Sequence, residues 1–470
     1  MKDELVALAY KRWKIRQVLS GLPPLRIEKL TKLALRSDYC SWSSDEVVLH
    51  IQNSEEAFSL AESLSYLGTC SKILVRTLRP AFSIRLLELP EREFLHYREC
   101  NDMERERLAT FYSLKALSLG YNALLLRLCS DQFLWPDPGL ISFILELATR
   151  SRTYKVKFGL DVTCLSDSQS ILHNSLITLP LDFFFHAQIE RIFSDHLSLL
   201  PHEALLEGVA RIRSIVKDNV TILAQASPDL IWSESSLIHL LSVFPDRVLL
   251  AFDAYLPIGS TKEHPIWILL QQDLLGGNLP IMPIFQAGSS SCGQGAWPTF
   301  SGLHWDPLIR LAKQLQFPAI CAFSDYFPCG EGFLSCSLWC LGQSCWTEWP
   351  LFSLYSYWLR FHFPEWDLPL DWPQLINSLA RSVMATVYSH KIEHKWILTS
   401  LQKIQEKRFE DIRLKTYLSS FVRDVQFLLN VNGSIEEKKI RLIEERQKIL
   451  NCVSPFSMEA LILAENGIRI

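Results

Sequence analysis

The sequence predicts an α/β fold: a (β/α)8 TIM barrel preceded by a small α/β domain and followed by a helical carboxyl-terminal domain. Two observations carry this prediction. Between about residues 105 and 345, short apolar runs alternate with longer amphipathic stretches, which is typical of a parallel sheet covered by helices. Beyond about Leu375 the pattern becomes helical throughout. A doubly wound open sheet is the competing architecture, but the G-x-G-x-x-G turn that usually follows its first strand is missing.

Eight apolar runs make up the predicted barrel, and eight parallel strands are the number that closes such a barrel. We therefore expect a small α/β domain over residues 1–100, the barrel over residues 101–370 and the helical domain over residues 371–470. The eight runs are Ala123–Leu128, Val156–Val162, Phe183–Phe185, Thr221–Ala224, Val248–Phe252, Ile281–Phe285, Ala319–Phe323 and Phe333–Leu338.

The junctions between elements have their own signals. A helix that ends at Gly120 should lead directly into the strand from Ala123, because glycine readily takes the left-handed conformation that ends helices. Upstream, we expect strands over Glu46–Ile51 and Ser71–Arg76 with a helix over Ser54–Leu67 between them.

The carboxyl-terminal region shows apolar residues at three-four spacing over Ile392–Gln405 and Ile412–Leu429, which predicts two helices. The turn at Asn432 and Gly433 should end the second of them. Ser434 with Glu437 three residues later then predicts a capping box at the start of another helix.

Composition narrows the function classes. The chain has 470 residues with 47 basic and 51 acidic side chains, so no basic excess exists to neutralise a nucleic-acid backbone. It has no apolar run of about 18 residues and no signal-peptide pattern, and we expect a cytoplasmic protein without a membrane partner. The 12 cysteines contain no C-x-x-C pair in their densest group, and His390 with His394 lacks the zinc-protease arrangement. No metal or cofactor is therefore predicted.

Candidate site residues come from the ends of the apolar runs, because active sites of such barrels lie at the carboxyl ends of the strands. Three aspartates and several polar side chains occupy these positions. Paired carboxylates there suit glycoside hydrolysis, in which one protonates the leaving oxygen and the other activates water or attacks carbon. The alternative is that each aspartate caps the helix that follows its strand. The predicted catalytic residues are Asp161, Asp253 and Asp325, and the predicted substrate-binding residues include His186, Gln225 and Gln286.

Tryptophan is concentrated near the end of the predicted barrel: eight of the 14 lie between Trp297 and Trp372. Aromatic rings beside carboxylates are typical of sugar sites, because the C–H faces of a pyranose pack on them. We expect two or three of these rings to reach the mouth of the barrel, that is, the end formed by the carboxyl ends of its strands. Trp339, Trp346 and Glu331 are the further substrate-binding candidates. The alternative is that the rings pack the last helices.

Three segments between Val248 and Trp346 resemble the microbial α-glucuronidases, a glycoside-hydrolase family with the same order of domains. Arg247–Pro265 is similar to the family's strand followed by N-G-P-I-D-F and Glu-Pro, Asn278–Gln294 to its strand followed by Q-I-T-Q-E-Y-x-G-Q, and Trp339–Trp346 to its Y-A-F-G-R-L-A-W. The resemblance implies a barrel that binds a carbohydrate, such as a uronic-acid side chain or an oligosaccharide.

The departures from that family fall on its chemistry. Gly259 and Ser290 stand at the positions of the family's water-activating carboxylates. The positions that match its motifs are Gln286, Gly293, Gln294, Gly342 and Trp346. Two hypotheses follow: a glycosidase with a rebuilt carboxylate pair, or a catalytically inactive carbohydrate-binding or scaffolding protein. A third is an interaction scaffold without a sugar ligand.

Overall fold

A computed structural model describes most of the chain. The residues described are 4–20, 22–29, 39–42, 46–51, 54–67, 80–90, 92–128, 138–162, 179–186, 200–214, 216–226, 230, 233–254, 280–288, 305–324, 333–362, 402 and 412–452.

Eight parallel strands close into a ring at the centre of the molecule. Their order around the ring follows the chain, and the last strand pairs with the first to complete the closure. The strands are β4 (Ile84–Leu89), β5 (Ala123–Arg127), β6 (Lys157–Asp161), β7 (Phe183–His186), β8 (Thr221–Gln225), β9 (Val248–Asp253), β10 (Ile281–Gly288) and β11 (Ala319–Ser324).

Seven of the eight predicted barrel strands occur where the apolar runs placed them, whereas the eighth does not. Phe333–Leu338 lies in a helix, Phe333–Ser344, and not in a strand. The missing strand is β4, upstream of the expected boundary at residue 100. An apolar run alone does not distinguish a buried strand from a buried helix. In β4 the apolar run is interrupted by Arg85 and Glu88, both of which are buried.

Helices flank the ring on the outside. Two of them, Pro201–Arg213 and Glu234–Ser242, fall in the amphipathic stretches between the apolar runs. The described helices around the barrel are α3 (Arg92–Glu99), α4 (Asp102–Ser118), α5 (Pro138–Thr153), α6 (Pro201–Arg213), α7 (Glu234–Ser242), α8 (Asp306–Gln314), α9 (Phe333–Ser344) and α10 (Leu351–His362).

Inside the ring, inward-facing side chains stack in layers of four contributed by alternate strands, as the strand pairing dictates. The lower three layers are apolar and fully or almost fully buried, so they form a packed core and not a channel. From the amino-terminal end upward they are Ala123, Phe183, Leu249 and Ala319; then Leu86, Gly159, Leu223 and Met282; then Leu125, Phe185, Ala251 and Cys321.

Gly120 and Gly342 bring helix α9 against the entry to β5. Gly120 has φ of +99°, ends the turn after α4 as predicted, and leads into the barrel strand. Gly342 lies directly against the carbonyl group of Leu119, where a side chain would collide with the backbone. The hydroxyl of Tyr121 donates to the carbonyl of Leu338 over 2.9 Å, which fixes the same contact.

A small three-stranded sheet precedes the barrel in the order β1 (Leu25–Lys29), β3 (Val47–Ile51) and β2 (Tyr39–Trp42), with β1 and β3 parallel. The predicted strand at Glu46–Ile51 and helix at Ser54–Leu67 are therefore present, whereas Ser71–Arg76 lies outside the described residues. Helix α1 (Glu4–Ser20) packs on α2 (Ser54–Leu67).

The sheet region is tied to the barrel through α2. Glu62 on α2 is almost fully buried and accepts hydrogen bonds from Arg12 and Arg16 of α1, at 3.3 and 2.9 Å. The hydroxyl of Ser59 donates to the carbonyl of Leu117 in α4 over 3.0 Å.

The carboxyl-terminal helices follow the predicted pattern where they are described. Helix α11 (Ile412–Asn430) is followed by Gly433 at φ +136°, and α12 (Ile435–Cys452) begins after it. Ser434 and Glu437 form the predicted capping box through backbone N–H donors, at 2.8 and 3.3 Å. The predicted helix at Ile392–Gln405 lies outside the described residues apart from residue 402. Among the helices that the structure describes, none has the length and apolar character needed to cross a bilayer.

Candidate functional site

The chemistry of the barrel interior changes above the third layer. The pairing that stacks the apolar layers places Glu88, Asp161, Gln225 and Ile284 in the fourth layer. The fifth layer contains Arg127, Asp253 and Phe323. Charged and amide side chains thus replace apolar ones at the carboxyl ends of the strands, where enzymes of this architecture have their active sites.

Glu88 and Arg127 form an ion pair inside the barrel. Nε of Arg127 donates to Oε1 of Glu88 over 2.7 Å, and the backbone N–H of Ser324 donates to Oε2 over 3.1 Å. The side chain of Glu88 is fully buried, while 16% of the Arg127 side chain is exposed. Both carboxylate oxygens are therefore hydrogen-bonded, which a buried charge requires if the fold is to tolerate it.

Arg127 also lies over an aromatic ring. Its guanidinium carbon is 5.4 Å from the ring centre of Phe323, within the range of a cation–π contact. Phe323 meets Phe185 edge to face with ring centres 5.8 Å apart. These two rings come from strands opposite each other in the ring.

The pKa of the Cys321 thiol is affected by several charged side chains of the mouth. Burial is the main cause that raises its pKa well above the ordinary value, and the carboxylates of Glu88, Asp161 and Asp253 raise it further. The guanidinium of Arg127 lowers it. Charged side chains from four other strands therefore lie within electrostatic range of this thiol.

Exposure divides the polar groups into an inner and an outer set. Glu88 and Asp161 are fully buried. Arg127, Gln225, Asp253 and Phe323 are partly exposed. The outer set is accessible to a ligand, whereas the fully buried carboxylates of Glu88 and Asp161 are not.

The predicted site residues are placed as follows. Asp161, Asp253 and Gln225 lie at the carboxyl ends of β6, β9 and β8, on the inner face of the barrel. His186 and Gln286 lie at the corresponding ends of β7 and β10, but their side chains are outside the described part. Asp325 and Glu331 fall outside the described residues.

Trp339 and Trp346 do not lie where the sequence analysis placed them. Trp339 belongs to α9 and is buried in the core between the barrel and its helices. Trp346 stacks under the guanidinium of Arg85, and its indole N–H donates to the carbonyl of Gly120 over 3.4 Å. Because Arg85 and Gly120 are at the amino-terminal ends of their strands, Trp346 lies at the end of the barrel opposite to the mouth.

The other described rings of the tryptophan-rich segment also pack the fold. Trp305 and Trp358 are buried, and Trp349 is partly buried with its ring centre 5.0 Å from that of Tyr357. The alternative interpretation of the segment, that its rings pack the last helices, therefore holds for these residues. Trp297, Trp366 and Trp372 lie outside the described part.

Glu88 and Arg127 are the site residues that the sequence analysis missed. Each interrupts or ends an apolar strand at an inward-facing position, two residues beyond the lumen residue Leu86 or Leu125. Alternate residues of a barrel strand point into its interior. A charged residue two positions after an inward-facing apolar residue is therefore the signal that would have identified both. Over the ranges described, no group of three or more potential metal-binding side chains occurs.

Comparisons with known proteins concern the fold. No protein-family model matches the chain, and no curated protein matches it. Among solved structures, a GH138 enzyme targeting pectin rhamnogalacturonan II is similar with a TM-score of 0.53 at 9% identity, over 96% of this chain and 73% of that one.

Two further similar structures have lower scores. CpGH84D matches with a TM-score of 0.49 at 9% identity, over 99% of this chain and 87% of that one. The GH20 exo-β-N-acetylglucosaminidase from Vibrio harveyi matches with 0.44 at 9% identity, over 79% and 73%. The similarity to the GH138 enzyme shows that the chain shares the fold of that glycoside hydrolase.

Proposed function

We propose that the protein is a glycosidase-like protein that acts on or binds a carbohydrate at the carboxyl-terminal mouth of its barrel. The observation that carries the proposal is the change from three apolar layers to two polar ones at that mouth. A mixture of carboxylate, guanidinium, amide and aromatic groups suits a ligand with many hydroxyls, which both donate and accept hydrogen bonds. The fold shared with a GH138 enzyme supports it.

In the hydrolytic form of this function, Asp253 is the carboxylate that faces the substrate. It is partly exposed and lies in the outermost described layer. Hydrolysis takes two carboxyl groups on either side of the glycosidic bond, one as acid and the other as base or nucleophile. Asp161 and Asp325 are the candidates for the second group, and Gln225, Gln286 and His186 for hydroxyl binding.

A second candidate function is carbohydrate binding without hydrolysis. It is favoured by the burial of the described carboxylates: Glu88 and Asp161 are fully buried, and Glu88 is already bonded through both oxygens. Of the carboxylates described at the mouth, Asp253 is therefore the one with exposed surface. The relation to α-glucuronidases remains a proposal that rests on the three sequence motifs.

The experiment combines turnover with binding. Purified protein is tested against a panel of 4-nitrophenyl glycosides, and in parallel against unlabelled oligosaccharides by titration calorimetry. Asp253→Asn is expected to lower turnover by at least about a hundredfold while leaving the melting temperature nearly unchanged. Asp246→Asn is the matched control, because Asp246 is exposed just before the amino-terminal end of the same strand.

Each outcome has a distinct meaning. Turnover lost in Asp253→Asn and kept in Asp246→Asn supports the hydrolytic form. Binding without turnover in the wild type supports the second candidate. If the protein neither hydrolyses nor binds any member of either panel, the proposed function is wrong.

A further inference from the structure

The charges of the mouth bear on the class of sugar that it accepts, and this inference rests on the proposed function. The described residues of the two polar layers contribute three carboxylates, Glu88, Asp161 and Asp253, against one guanidinium, that of Arg127. These groups are buried or partly buried, so solvent screens them less than it screens surface charges.

The positive charge of Arg127 is already balanced. Its Nε donates to Glu88 over 2.7 Å, and Glu88 has no exposed surface. A ligand carboxylate at Arg127 would therefore meet a guanidinium whose charge is offset at contact distance. It would also lie beside Asp161, whose backbone pairs with that of Arg127 on the neighbouring strand.

The electrostatic effects on Cys321 agree with an excess of negative charge among these groups. Beyond burial, which is the largest cause, three carboxylates raise the pKa of its thiol and thus oppose a further negative charge just below the mouth. One guanidinium acts in the opposite direction.

The outer layer offers donors and acceptors on opposite sides. Arg127 on β5 and Asp253 on β9 come from strands that face each other across the eight-membered ring. A guanidinium only donates hydrogen bonds and a carboxylate only accepts them. A sugar hydroxyl satisfies either side, whereas a ligand carboxylate satisfies the first and is repelled by the second.

In contrast to the uronic-acid ligand that the resemblance to α-glucuronidases implies, we propose that the mouth selects an uncharged sugar over the corresponding uronic acid, with Arg127, held by Glu88, and Asp253 as the residues that determine this specificity. The proposal rests on one observation: the guanidinium of Arg127, which is bonded to Glu88, and the partly exposed carboxylate of Asp253 lie on opposite sides of the same layer. The hydroxyls of a neutral sugar can bind both sides of the mouth. A carboxylate at carbon 6 is repelled by Asp253 and lowers the affinity of the sugar.

The test compares sugars that differ in this group alone. Methyl glucoside with methyl glucuronide, and methyl galactoside with methyl galacturonide, are titrated against the full chain by saturation-transfer NMR at one pH and salt concentration. For whichever pair binds, the neutral member is expected to bind about tenfold or more tightly than the acid, because like-charge contacts oppose binding. In Asp253→Asn, the preference is expected to fall by several-fold, since one repelling charge is removed.

A second variant separates the role of Arg127 from folding. Arg127→Lys keeps the positive charge but removes the planar fork of donors. It is expected to lower the affinity for the neutral sugar by about tenfold and the affinity for the uronic acid by less. Asp246→Asn, at the other end of β9, should leave both affinities unchanged.

The outcomes distinguish this proposal from the one it rests on. A wild type that binds the uronic acid more tightly overturns the specificity and leaves carbohydrate binding intact. A preference for the neutral sugar that is unchanged in both Asp253→Asn and Arg127→Lys overturns the assignment of the two residues. Binding of neither member of either pair overturns the specificity, whereas carbohydrate binding itself is decided by the panels of glycosides and oligosaccharides.

Discussion

Gly342 lies against the carbonyl oxygen of Leu119, and a Cβ atom on residue 342 would lie 1.9 Å from that oxygen. The neighbouring atom belongs to the backbone, so it cannot move aside as the end of a flexible side chain can. We expect Gly342→Ala to lower the free energy of unfolding by roughly 3 kcal/mol or more, as overpacking of a tight contact does. Urea denaturation followed by circular dichroism measures it.

Ser353→Ala on helix α10 is the control for that substitution, because it also places alanine at a helical position without adding an atom. It should change the free energy of unfolding by less than about 1 kcal/mol. Equal effects of the two substitutions would show that the contact between α9 and the β5 entry is not tight.

The Glu88–Arg127 pair predicts strongly non-additive effects on stability. Removing one partner leaves the other charge buried, so Glu88→Leu or Arg127→Met alone should cost about 3–5 kcal/mol. The double variant Glu88→Leu/Arg127→Met should be more stable than either single variant, because no unpaired charge remains. Chemical denaturation of the four proteins gives the coupling energy.

The exposed pair of Glu207 and Arg211 on helix α6 serves as the reference for that cycle. Its members are spaced four residues apart on a solvated surface, and Glu207→Gln should cost at most about 0.5 kcal/mol. Additive effects at Glu88 and Arg127 would contradict a buried, mutually compensating pair.

Cysteine reactivity should separate Cys321 from Cys452. Cys321 is fully buried below the mouth, and burial raises the pKa of its thiol well above the ordinary value, so the reactive thiolate is scarce. Cys452, at the end of α12, is exposed. Iodoacetamide at pH 8 is therefore expected to modify Cys452 and to spare Cys321, as mapped by peptide mass spectrometry. In 6 M guanidinium chloride, both should be modified; rapid modification of Cys321 without denaturant would contradict its burial.

Cys345 predicts a loss of stability at alkaline pH. Burial raises the pKa of its thiol from the ordinary 9.0 to about 11, whereas Arg85 and Lys313 lower it to a lesser extent. The folded state thus binds a proton that the unfolded state has lost. The stabilisation is complete below pH 9 and is lost as the pH rises from 9 through 11, by about 3 kcal/mol in all.

Replacing Cys345 with alanine should make this part of the pH profile less steep, with the remaining slope due to other buried thiols such as Cys321. Free energies of unfolding are measured between pH 7 and 11 for the wild type, Cys345→Ala and the control Cys452→Ala. The control should keep the wild-type slope. A Cys345→Ala profile that parallels the wild type would show that this thiol titrates alike in the two states.

Much of the barrel could be predicted because its strands are buried on both faces and therefore appear as continuous apolar runs. The strand Ile84–Leu89 was missed for a physical reason: Arg85 faces the outer helices, where it stacks on Trp346, and Glu88 faces the lumen. Both charges are satisfied by partners distant in sequence, which no local pattern shows.

The same limit explains the error on the tryptophans. Richness in indole rings predicts a large apolar surface, but it does not say which face of the fold the surface covers. Trp346 is drawn to the amino-terminal end of the barrel by Arg85 and by the carbonyl of Gly120, groups about 226 residues or more away in sequence. Asp161 and Asp253, by contrast, follow directly from their place at the ends of apolar strands.

The layered lumen has a consequence for how this protein can diverge. The side chains of its three lower layers contact one another through apolar packing, and apolar packing tolerates many combinations of side chains at constant volume. Substitutions in the upper layers can thus accumulate over evolutionary time without dismantling the framework, provided that Glu88 and Arg127 change as a couple. The similarity in fold to a GH138 enzyme, at 9% identity, agrees with such freedom.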